Sequence, residues 1–341
     1  MHIALKKYDD FVIASGNLAQ VPGFTLSALV HNEMHFLAPF LEHYRRLGVA
    51  RFVFVDDRST DGTSAFLAVQ NDVVVLRSQR KYGDKIDAAD AAALGLPHQR
   101  LELVWRMLLL EKFGLNRWSL HLDADEFLEL PQGQTISELA STLDEDDGAA
   151  VWAAMIDMYP ATVTDLVGMA QDEIIDLNKS WYFDGQPHLG LRHAKPPRTL
   201  HPGSRARLLH KFGLNRKVSG TEHRVRQLFR LPIPRYNAIR KPALLRWQSG
   251  HRFDSAHKVN LTASPRVLLP LRHYKFNGPI HQRIQRASTT GGNTGGGVEY
   301  KDLAGLITAM SENDEDFRYA RSIRHQGFDD FQRSGNAVGF R

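Results

Sequence analysis

The 341-residue chain contains no cysteine. That excludes disulfides, thiolate metal sites and a cysteine nucleophile, and leaves oxygen and imidazole groups for any chemistry. The absence suits a reducing cytosol without requiring one. Long apolar runs are also missing. None approaches the roughly 18 residues that would mark a transmembrane helix. The N-terminal stretch MHIALKKYDDFVIASG has no proper signal-peptide core, since Asp9 and Asp10 interrupt it. The expected location is cytoplasmic, with peripheral contact at the inner face of an anionic membrane allowed by charge. That charge is modest, with 43 Lys and Arg against 38 Asp and Glu. The basic excess gathers between Arg192 and Arg246. The core of this stretch, Arg192 to Lys217, has few interleaved aromatics, so no nucleic-acid partner is expected. Phosphates, lipid headgroups or an anionic acceptor fit it better. The hydrophobic fraction of 43% and the charged fraction of 24% are ordinary for a globular protein, which excludes a disordered or fibrous chain.

Strand and helix signals alternate in the first half. Thr25 to Val30 is a short apolar run that ends at His31-Asn32-Glu33. Phe36, Leu37, Phe40, Leu41, Tyr44 and Leu47 then recur at helical spacing, and Gly48 closes the helix. Arg51 to Val55 is β-branched and aromatic, and ends at Asp56-Asp57. Val73 to Leu76 reads as a third strand. A helix follows Pro97, with Leu101, Val104, Leu108 and Phe113 inside. Trp118 to Leu122 is a fourth strand, ending at Asp123. Thr135 and Glu138 form a capping box. Ala149 to Met158 and Val267 to Leu271 complete the strands. The alternation implies an α/β fold, a mostly parallel sheet flanked by helices. Ligands bind at the carboxyl ends of such strands, so the acidic clusters should share one edge.

Asp123-Ala124-Asp125 carries the chemistry best. Two carboxylates two residues apart at a strand end can point at one hard cation, Mn²⁺ or Mg²⁺, that bridges to a substrate diphosphate. A bare D-x-D is also a common turn. Asp56-Asp57 can accept hydrogen bonds from a base and a ribose, or simply form a turn with Ser59, Asp61 and Gly62.

In the family's order and at its rough spacing, SALVHNE, FVFVDDRSTDGT and HLDADEFLEL together resemble glycosyltransferase family 2, in its branch with a D-x-D-E-F motif. The resemblance is strong over residues 24–130 and continues weakly to Arg272-His273-Tyr274. It implies a GT-A fold: a Rossmann-like nucleotide-binding half over 22–130 and an irregular acceptor-side half over 131–280. The composition of 281–341 reads as a flexible Gly-rich loop followed by a polar, helical tail. The resemblance implies a nucleoside-diphosphate sugar donor, with a UDP-sugar favoured, and a glycan or lipid-linked acceptor. Asp56 and Asp57 would hold the nucleoside, with Asn32, Glu33 and Lys85 beside the donor. Asp123 would meet the ribose or the metal, Asp125 the metal and diphosphate, and His273 the metal or phosphate. The family's R-N-x-G segment before the D-x-D is absent, and Arg77, Arg80, Tyr82, Gly83 and Lys85 stand in that region. Family 2 enzymes invert, so a carboxylate base is needed. Glu126, Asp157, Asp184 and Glu222 are available, with Asp157 or Asp184 favoured. Arg272 or Lys275 would add positive charge at the diphosphate. A metal-dependent hydrolase, a nucleotidyltransferase and a non-catalytic binding module remain as alternatives.

Overall fold

The computed structural model describes residues 2–17, 23–143, 148–170, 173–214, 221, 224–225, 228–229, 238–290 and 298–340. The fold is α/β, built on a nine-stranded sheet. Its members in chain order are β1 (Val12–Ser15), β2 (Phe24–Val30), β3 (Val49–Asp56), β4 (Val73–Arg77), β5 (Trp118–His121), β6 (Glu126–Leu128) and β7 (Ala150–Asp157), then β11 (Arg240–Arg246) and β14 (Ala263–His273). Small two-stranded pieces pair β8 (Tyr182–Asp184) with β15 (Ser322–Arg324), β9 (Leu189–Gly190) with β10 (Arg198–Thr199), and β12 (Phe253–Ser255) with β13 (Lys258–Val259). The main sheet runs β1-β4-β3-β2-β5-β11-β7-β14-β6.

Each strand recognised in the sequence is present, one or more residues longer or shorter at its ends. The central ones are apolar on both faces because helices cover both sides. Every residue of β7 is buried, as are Phe52 to Val55 of β3. The helix Leu101–Phe113 is likewise buried almost all round. Thr135 caps the helix Ile136–Ser141 reciprocally with Glu138, as expected.

Directions decide where a site can form. β4, β3, β2 and β5 are parallel neighbours, and β7 and β14 are parallel to each other. β11 lies antiparallel between β5 and β7, which restores the common direction. Six strands therefore release their carboxyl ends along one edge. The sheet is mostly parallel, as expected, and mixed, because β1, β11 and β6 oppose the rest.

The sequence concealed β11. Its Pro242 cannot donate to a ladder, so the stretch RKPALLR reads poorly as an interior strand. The register against β7 shifts between Pro242 and Leu244, and that irregularity accommodates the proline. With β11 inside the sheet, strands from 22–130 and 131–280 share one layer. The C-terminal segment also departs from a polar tail. β15 pairs with β8, Val338 bridges to Leu268, and Phe328 and Phe331 are buried in the main core. The glycine run 291–297 lies outside the described residues.

Candidate active site

At the shared edge, the loops after β2 and β3 are stitched together by side chains. Ser59 Oγ accepts from Asn32 N at 2.9 Å, and Thr63 Oγ1 accepts from Glu33 N at 2.9 Å. Asp61 accepts from Met34 N and from Thr63 N, while Asn32 Oδ1 accepts from Thr60 N at 2.7 Å. Asn32 and Arg58 both carry positive φ, 55° and 61°, outside the usual region for side-chain-bearing residues. Gly62, at φ 96°, makes the turn into the helix Thr63–Ala68. Asn32 thus serves the loop, with its carbonyl oxygen turned to Thr60 instead of outward.

These loops present Asp56 and Asp57. Asp56 Oδ1 accepts from Ser59 N at 3.0 Å, while its buried Oδ2 has no hydrogen-bond partner and lies 3.8 Å from Arg77. Asp57 Oδ2 accepts from Tyr82 N at 3.3 Å, which brings the 77–85 segment beside the pair. Burial raises the Asp57 carboxyl above its ordinary value, against the pull of that N–H. Lys85 is exposed, and its backbone bridges to Arg100.

The D-x-D acids divide into two environments. Asp123 Oδ2 accepts from Lys241 Nζ at 2.6 Å and Oδ1 from Arg106 at 3.2 Å. Burial opposes its charge, but Lys241 and Arg106 hold its carboxyl well below the usual range. Lys241 also donates to Glu126, which accepts from Asp123 N at 2.8 Å. Burial pushes Glu126 up to about 7; Lys241 pulls it down, and Asp123 and Asp125 push it further up. Arg106 donates to His121 Nε2 at 2.7 Å, leaving His121 Nδ1–H for Ser27 Oγ at 2.8 Å. Burial and then Arg106 keep that imidazole neutral.

Asp125 faces the C-terminal elements. Its Oδ2 accepts from Arg283 Nη1 at 3.0 Å and lies 3.9 Å from His273 Nε2. Arg283 also pairs with Glu33. His273 Nδ1 donates to Asp157 Oδ1 at 2.7 Å, and Arg205 Nε donates to Asp157 Oδ2 at 2.8 Å. Arg205 continues to Glu299, which lies 3.6 Å from Lys275. Burial would raise Asp157, but Arg205 and His273 hold it well below the usual range.

Several expected roles do not survive this geometry. Asp157 has both oxygens engaged and a strongly depressed carboxyl, so it is a poor proton acceptor. Asp184 is tied by Tyr159 OH at 2.8 Å and by two Arg207 nitrogens at 2.9 and 3.0 Å, so it too is committed to structure. Arg272 lies across β14 from His273, over the Phe127 ring, and pairs with Glu129. It therefore cannot serve a diphosphate at His273. Glu222 lies outside the described residues. Sequence reasoning missed Arg106, Lys241, Arg205, Arg283 and Glu299. One signal was available: Arg106 interrupts the apolar helix LELVWRMLLLEKF.

Among the described residues, no three His, Asp or Glu side chains gather as a ready metal cage. Asp125 Oδ2 and His273 Nε2 nonetheless face each other at 3.9 Å; adjacent ligands about 2.1 Å from one octahedral cation are about 3 Å apart, so the pair would have to close by about 1 Å to share an ion. Asp157 accepts from His273 Nδ1 and so turns Nε2 toward Asp125, the usual support for a metal-binding imidazole. An open cavity of about 660 Å³ lies elsewhere, lined by His43, Arg46, Glu129 and Arg272. The chemistry-bearing groups are at the sheet edge, which outweighs cavity size.

No protein-family model matches this chain, and no curated protein matches it either.

Proposed function

We propose that this chain is a glycosyltransferase of GT-A fold, resembling family 2, that moves a sugar from a nucleoside-diphosphate sugar to an acceptor hydroxyl with inversion. The observation that supports this most is the meeting of Glu33, Asp56, Asp57, Asp123, Asp125 and His273 at the carboxyl ends of strands that share one direction. Such an edge is where open α/β sheets bind nucleotides.

Asp56 and Asp57 would receive the nucleoside. A buried carboxylate oxygen without a hydrogen bond is costly, and Asp56 Oδ2 is one, with Arg77 3.8 Å away. A base N–H or a ribose hydroxyl would satisfy it. Asp123, neutralised by Lys241 and Arg106, is rigidly held and would accept from the ribose rather than bind metal. Asp125 and His273 would hold Mn²⁺ or Mg²⁺, which keeps much of its shell for diphosphate oxygens and water. When bound, such an ion neutralises charge that develops on the departing diphosphate. Asp157 orients His273, and Lys275 adds positive potential beside it. UDP-sugars are the first donors to try, with a glycan or lipid-linked hydroxyl as acceptor.

Donor turnover tests the reading. The protein should release one nucleoside diphosphate from a panel of nucleotide sugars when Mn²⁺ is present. Chelator should stop release, and Asp125→Asn should lower it by about 10² or more. Failure of every nucleotide sugar, combined with metal-dependent cleavage of simple phosphate esters, would favour a hydrolase instead.

A further inference from the structure

The oxygen of Asp125 that faces His273 is already occupied. Arg283 Nη1 donates to it at 3.0 Å, and the other end of the same guanidinium pairs with Glu33. Arg283 comes from the helix Ile280–Thr290, which begins shortly after β14 delivers His273. Its guanidinium carbon lies 5.3 Å from the centre of the Phe36 ring, and its side chain is only 12% exposed. One cation therefore bridges a carboxylate from the β2 end and a carboxylate from the β5 end. It does so at the position a divalent ion would need.

We propose that Arg283 is a built-in counter-cation that competes with divalent metal for Asp125, so that metal binds well only when a donor diphosphate arrives with it. This rests on the transferase reading above. Two like charges cannot share one carboxylate oxygen without cost. Metal alone must displace Arg283 and leave the guanidinium half-buried beside the incoming ion. A diphosphate changes that balance, because its oxygens offer the displaced guanidinium a bidentate partner. Metal and nucleotide then reinforce each other through Arg283, and the coupling is reciprocal. In the idle site Arg283 offsets part of the carboxylate charge and lowers the pull on free cations.

Titration of Mn²⁺ into the full chain, followed by the loss of free-ion electron paramagnetic resonance signal, tests this with and without UDP. Wild type should bind Mn²⁺ weakly alone and much more tightly with UDP. Arg283→Gln should bind Mn²⁺ alone roughly tenfold more tightly or better, and UDP should enhance that binding less. Arg283→Lys keeps the charge but cannot span both carboxylates, so its Mn²⁺ affinity should fall between the two. If the glutamine variant fails to fold, the lysine variant decides. Mn²⁺ affinity unchanged or weakened in the folded variants overturns the competition. Wild type that binds no nucleoside diphosphate under any condition would sink the transferase reading instead, a separate result.

Discussion

At the residue scale, the acids were legible and their counter-ions were not. Asp56, Asp57, Asp123 and Asp125 announce themselves by following apolar runs. Lys241 does not, because it sits before a proline in a stretch that reads as irregular. Among the described residues, its ammonium is the one cation paired with Glu126 and one of two paired with Asp123. Lys241→Met should therefore destabilise the fold by about 3–5 kcal/mol, the usual cost of stranding a buried carboxylate. Urea unfolding measures it, and adding Glu126→Gln should recover part of the loss. A loss under 1 kcal/mol would mean that the pair is not structurally important. Buried histidines make a second residue-scale case. Burial, then Arg272 and Arg46, lowers His43 from 6.5 to about 3. The unfolded chain takes up this proton first. Stability from neutral His43 is thus complete above about 6.5 and is lost as pH falls toward about 3. His43→Gln can still donate to the Leu128 carbonyl, which His43 Nε2 reaches at 2.6 Å. It should flatten the melting temperature's dependence on acid over that window.

Elements were read well where one signal acted alone. The helix Ile136–Ser141 shows this, since Thr135 and Glu138 cap each other as their spacing implies. Thr135→Ala should cost about 1 kcal/mol, seen in denaturant midpoints, and should leave nucleotide binding unchanged. Where signals conflicted, reading failed. Proline hid β11, although β11 joins the two blocks of like-directed strands. The short β6 was hidden inside the D-x-D-E-F motif itself, since three residues give no periodicity. Ser59, Asp61 and Thr63 looked like turn formers. They are also the ties between the β2 and β3 loops, which no local pattern could reveal.

For the whole molecule, the alternating pattern was enough to place the acids on one edge but not to assign the last 60 residues. Beyond 301 the chain looked helical and polar. Folding inserts Phe331 into the main core and Arg283 into the site. Phe331→Ala should therefore cost about 3–5 kcal/mol by denaturant unfolding, a loss a loose tail would not show. Among the described residues, no helix is long and apolar enough to cross a membrane. The central claim is that a nucleotide and a metal meet at Asp125. Thermal stabilisation by UDP, GDP, CMP and dTDP, with and without Mn²⁺, tests it on wild type and Asp125→Ala. A nucleotide at 100 times its dissociation constant adds about 2.7 kcal/mol. One nucleotide should raise the melting temperature with Mn²⁺ in wild type, and Asp125→Ala should abolish the effect. Stabilisation by metal alone, indifferent to every nucleotide, would contradict it.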